Sequence, residues 1–60
     1  MKDQEIIKNL NRIIIILKHQ NVRNSTNTLM VEENDELIRS VKDAIVNLNK
    51  FTSIKEALNP

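Results

Sequence analysis

Four consecutive isoleucines, Ile13 to Ile16, followed directly by Leu17, restrict this 60-residue chain more than any other feature. Ile6, Ile7, Leu10, Ile13, Ile14 and Leu17 recur at the i, i+3/i+4, i+7 spacing of one helical face, so the run belongs to an amphipathic helix rather than a strand. Successive residues of a helix are turned by about 100°, which places Ile15 and Ile16 more than roughly 90° from the centre of that stripe, one on each side. A helix that is apolar nearly all round is a buried one, and a single neighbouring helix cannot cover every side of it. The sequence therefore assigns Ile13 and Ile14 to the face that holds the molecule together. It leaves Ile15 and Ile16 for a second contact. The competing reading is that the C-terminal segment, through Ile54 and Leu58, folds over them.

Length sharpens the problem. A chain this short buries only about 60% of the surface its unfolded form exposes, and small folds usually add disulfides, a structural metal or oligomerisation. There is no cysteine and only one histidine, His19, so disulfides are impossible and a zinc site lacks soft ligands. Oligomerisation or a protein partner remains.

The helical pattern begins near Asp3, a candidate N-cap with Glu5 in the first turn, and extends to about Gln20. The segment 21–27, rich in Asn, Ser and Thr, competes with helix for backbone hydrogen bonds and reads as the connecting loop. A second pattern covers about 28–50, with Met30, Leu37, Val41, Ala44, Ile45, Leu48 and Phe51 on one side. Its start is open: Thr28 caps a long helix, or Asn34 caps a shorter one and residues 26–31 are extended. Ser53-Ile54-Lys55-Glu56 matches the capping-box pattern and predicts a separate short helix over 53–58.

Charge says little about a polyanionic partner, with nine Lys and Arg against eight Asp and Glu. Its distribution says more. Residues 1–31 hold five basic and two acidic side chains and residues 32–43 hold two basic and five acidic, which favours antiparallel arms. The longest apolar run is five residues, against roughly 20 for a membrane span, and Met1 to Asn9 have mixed charge rather than the pattern of a signal peptide. The expectation is a soluble, cytoplasmic protein. Nine Asn, nine Ile and six Lys are the bias of an AT-rich coding sequence, as low-GC bacteria, their phages and plasmids carry.

Catalytic chemistry finds no residues to carry it. His19 has no Cys, second His or suitably spaced Ser and Asp beside it, and a chain without glycine has no phosphate-cradling loop. Glu32-Glu33-Asn34-Asp35-Glu36 lacks the glycine and alternating ligands of a calcium loop and reads as a solvated helix start.

Thr26 to Leu58 resembles the ribbon-helix-helix repressors, as a short strand over Thr26 to Val31 followed by two helices, the second opening at Thr52-Ser53. The resemblance implies a dimer that lays paired strands in the DNA major groove, with Thr26, Thr28 and Met30 facing outward. No Arg or Lys lies within that strand. The helical-hairpin phosphatases of sporulation pathways are similar in size and carry Ser-Gln-Glu-Leu-Asp on their second helix. Here Asn34-Asp35-Glu36-Leu37-Ile38 keeps Glu-Leu alone and has isoleucine where that chemistry needs the final Asp. A third resemblance, to the RNA-binding hairpin dimers that control plasmid copy number, rests on Lys8, Arg12, Lys18 and Arg23.

The sequence thus predicts an all-α domain over residues 1–60: an antiparallel helical hairpin with a short C-terminal helix, dimerising into a helical bundle. Its expected role is that of a small non-enzymatic regulatory or inhibitory protein, without cofactor, that contacts itself or a protein target through helix 1. Ile15 and Ile16 are the expected association residues, supported by Ile6, Ile7, Leu10, Ile13, Ile14 and Leu17. DNA binding of the ribbon-helix-helix kind is the alternative.

Overall fold

A computed structural model describes residues 2–58 and forms an all-α antiparallel hairpin of two helices, α1 (Asp3–Arg23) and α2 (Thr28–Leu58). Two asparagines make the turn between them. At the end of α1 the Asn24 backbone N–H and side-chain amide both donate to the Gln20 carbonyl, at 2.9 and 3.0 Å. Asn27 then caps α2, its side-chain oxygen accepting the Met30 N–H at 3.1 Å, three residues into the new helix. The Asn27 N–H closes the turn on the Asn24 carbonyl at 2.9 Å. No described residue has a positive φ, so the reversal needs none of the glycine the chain lacks.

Several expected boundaries move. Helix α1 continues to Arg23 instead of ending near Gln20, and the connection shrinks to residues 24–27. Neither Thr28 nor Asn34 caps α2, because Asn27 does so first. Residues from Thr28 to Val31 are helical, so the extended ribbon over Thr26 to Val31 does not form, and there is no strand among the described residues. Asp3 is not the cap of α1 either. Lys2 holds that position in an extended conformation without a side-chain cap bond.

The short C-terminal helix is the remaining correction. Helix α2 runs unbroken through Ser53 to Leu58, for 31 residues in all. A Ser-x-x-Glu pattern opens a helix only where the preceding backbone is extended, and nothing between Leu48 and Ser53 is a glycine or proline that would break the one already under way.

Packing follows a coiled-coil rule. On α2 the residues withdrawn from solvent include Val31, Asn34, Ile38, Val41, Ile45, Leu48 and Thr52, at alternating steps of three and four. On α1 Asp3, Ile7, Leu10, Ile14, Leu17 and Asn21 keep the same rhythm, with Ile6 and Gln20 beside them. Near the turn the Asn34 amide donates to Asn21 Oδ1 at 2.9 Å, and at the open end the Thr52 hydroxyl donates to Asp3 Oδ2 at 2.8 Å. Both pairs of residue numbers total 55, so one unbroken register joins the two ends. It sets Leu17 against Ile38, Ile14 against Val41, Leu10 against Ile45 and Ile7 against Leu48. Polar layers close this apolar seam at either end. The same register carries α2 past the start of α1 after Ser53, which leaves Ile54 and Leu58 at 59% and 75% exposure instead of covering α1.

Candidate interaction surface

A two-helix seam hides little. Ile14 and Ile38 are the buried hydrophobic residues among those described, whereas ten large hydrophobic side chains stand exposed. The molecule measures 51 × 16 × 13 Å with a radius of gyration of 14.7 Å, against about 10 Å for a compact domain of this length. Its accessible surface is 5012 Å², roughly 1,000 Å² more than the ~4,000 Å² of a compact monomer of this mass.

The heptad positions sort that surface into two faces, one on each side of the seam. On the first, α1 contributes Ile6 and Ile13 beside the seam and Asn9 and Ile16 further out. Helix α2 lines the same side with Leu37, Ala44 and Phe51, with Ser40 and Asn47 further out and Met30 toward the turn. From Ile6 to Ile16 and from Leu37 to Phe51 this face holds no charged side chain. Lys2, Arg23 and Glu33 lie only at its ends.

On the opposite side Ile15 and Val46 stand over a groove whose floor includes Ile14 and Ile45 and whose edges are Asn11, Lys18 and Lys42. A second hollow continues along α2 past Val46, between Asn49, Lys50, Ser53 and Ile54. Lys8 and Arg39 occupy the neighbouring outward positions on this side. Asp35 and Glu32 come in only toward the turn, and the Asp35 carboxylate there accepts from Asn21 Nδ2 at 3.1 Å. Lys18 and Lys42 thus lie next to the seam, and Ile15 and Val46 share the outward positions with Lys8 and Arg39.

The predicted interaction residues therefore separate. Ile14 is buried in the seam and Ile6, Ile7, Leu10 and Leu17 are half-buried against α2. Ile13, assigned from sequence to the holding face, is 43% exposed on the neutral side. Ile16 joins it there, whereas Ile15 faces the other way. On α2 the apolar side read from the sequence splits: Val41, Ile45 and Leu48 are half-buried against α1, whereas Leu37 is 52% exposed and its neighbour Ile38 is buried in its place.

Asn34 and Ile38 were missed for one reason. Met30, Leu37, Ala44, Phe51 and Leu58 recur every seven residues and form an apolar stripe of their own beside the seam. The true seam is interrupted by Asn34 and Thr52 and looks weaker. A consistent three-four spacing that tolerates polar residues would have found it.

Other chemistries find no assembly here. Among the described residues no three His, Cys, Asp or Glu side chains gather as metal ligands, and no helix is long and apolar enough to cross a membrane. His19 is exposed. Lys8, Arg12, Lys18 and Arg23 fall at four different heptad positions and are spread around α1 rather than aligned. Comparison with protein-family models, curated proteins and solved structures gives no match for the chain.

Proposed function

We propose that this protein is a small, cytoplasmic, non-enzymatic regulator or inhibitor that acts by laying an exposed helical face against another protein. The observation that carries this reading is the imbalance, among the described residues, between two buried hydrophobic side chains and ten large exposed ones on a folded hairpin. Burying a single isoleucine or leucine is worth ~1.5–3 kcal/mol, and exposed apolar surface arranged in continuous faces marks an interaction site. Scattered exposed residues would carry no such meaning. Here Ile13, Ile16, Leu37 and Phe51 share one face, and Ile15 and Val46 share the other.

For a protein target the lysine-flanked groove is the better suited of the two. An amphipathic helix lays its apolar residues into such a groove, and acidic residues along its edges would meet Lys18, Lys42 and Lys50. The test is capture from an extract of the encoding organism on immobilised wild-type protein, on Ile15→Lys and on Leu37→Lys. A protein retained by wild-type and released by Ile15→Lys, with helicity unchanged by circular dichroism, is the expected result. Retention of nothing that a charge on either face releases would sink the reading.

A further inference from the structure

We infer that the neutral face is where two copies of this chain join, back to back, leaving both lysine-flanked grooves outward. The inference rests on the reading above that the exposed helical faces are interaction surfaces, and assigns an occupant to the second face. In a two-fold dimer a patch meets its own copy, so a patch with an excess of one sign of charge is brought against the same excess. The groove side, with Lys18 and Lys42 at its edges, meets that condition badly. The opposite side meets it well, since its central stretch holds only apolar and neutral polar side chains.

Area supports the same choice. Ile13, Ile16, Leu37 and Phe51, on one side of the hairpin, are 43%, 55%, 52% and 61% exposed. A stable interface of standard size buries about 800 Å² from each partner. The hairpin exposes 5012 Å², an excess of roughly 1,000 Å² over a compact monomer of its mass. One long side of the hairpin, 51 × 16 Å, is of that standard size, and covering it with a second copy yields a four-helix bundle, the arrangement in which helices of this length share one core. Ala44, at the centre of the α2 stripe, lets the two hairpins approach closely there.

Sedimentation equilibrium of purified protein tests this directly. Wild-type is expected to be a dimer. Leu37→Lys is expected to weaken it by roughly a hundredfold or more, because each substitution enters a two-fold interface twice, while Ile15→Lys leaves the dimer unchanged.

Because Leu37→Lys could unfold a hairpin that needs its partner, single cysteines provide a second reading in this cysteine-free chain. Under mild oxidation at least one of Ser40→Cys, Ala44→Cys and Asn47→Cys is expected to form a disulfide-linked dimer. Asn11→Cys and Asn49→Cys are expected to form none, since bridging requires Cα atoms within about 7 Å. A wild-type monomer at all concentrations overturns the inference, as does a dimer broken by Ile15→Lys and linked through Asn11→Cys. Target capture released by Ile15→Lys would still stand in the first case, so the two readings fail separately.

Discussion

Both sides of this hairpin expose apolar side chains, and they differ in what surrounds them. One sets Ile13 and Ile16 beside Leu37, Ala44 and Phe51 with asparagine and serine as the polar neighbours along its central stretch, and the other sets Ile15 beside Val46 between lysines. Hydrophobic burial is non-directional and scales with area, so it favours covering the broader side without saying what covers it. Charge decides which side tolerates its own copy and which side demands a different partner. Two adjacent isoleucines, Ile15 and Ile16, consequently serve opposite surfaces although nothing in their own chemistry differs.

The most severe way to break the comparison is to remove the seam that separates the faces. Ile38→Ala deletes one of the two buried hydrophobic side chains and is expected to cost about 2–5 kcal/mol. A core in a chain this short supplies about the same amount. Both faces should therefore disappear together, seen as loss of the helical circular dichroism signal at low protein concentration. Retained helicity with an unchanged melting temperature would mean that the seam contributes little and that the faces are held by something else.

Erasing the charge difference is the next largest perturbation. Lys18→Gln combined with Lys42→Gln removes the two lysines that line the groove and lowers the repulsion that keeps it from self-association. Dimers are then expected to assemble further, into species larger than two chains by light scattering, since each hairpin now presents two compatible faces. An unchanged molecular mass would show that shape rather than lysine charge keeps the grooves apart.

The helical class and the antiparallel hairpin were legible because apolar spacing and an Asn-, Ser- and Thr-rich break are local signals. The break itself was half right: Asn24 and Asn27 do form the turn, but Asn21 belongs to α1 and faces Asn34. What the sequence hid was the phase of α2. Phase depends on which of two neighbouring stripes meets α1, and Leu37 is a stronger apolar signal than Asn34 even though Asn34 is the one buried. The continuity of α2 through Ser53 was hidden similarly, because Ser53-Ile54-Lys55-Glu56 is compatible with a new helix start and with the middle of an old one. Ile15 and Ile16 were correctly placed on opposite sides of the stripe, but only the register with α2 shows what stands beside each.

That register leads to a subtler test. Asn34 is 7% exposed and donates to Asn21 Oδ1, with Gln20 Oε1 at 3.5 Å. A polar residue at a seam position commonly fixes register at a cost in stability. Asn34→Leu is expected to raise stability by about 1–2 kcal/mol, since Asn21 and Gln20 are half-buried and can turn to water. Slippage of α2 against α1 should accompany the gain, visible as doubled amide resonances in a ¹H–¹⁵N spectrum. A single sharp set of resonances would place the control of register in the turn asparagines instead.

The open end gives the smallest expected effect and completes the contrast with the turn end. Thr52→Val keeps the shape of the side chain and removes the hydroxyl that donates to Asp3 Oδ2 at 2.8 Å. Asp3 is half-buried at the first position of α1 and can recover water on its outer side, so the expected loss is about 0.5–1.5 kcal/mol, read from the urea midpoint. Self-association should be unaffected, because Thr52 lies in the seam and on neither face. A dimer weakened by this substitution would mean that the neutral face extends to the start of α1 and depends on the Asp3–Thr52 layer holding the first turn in place.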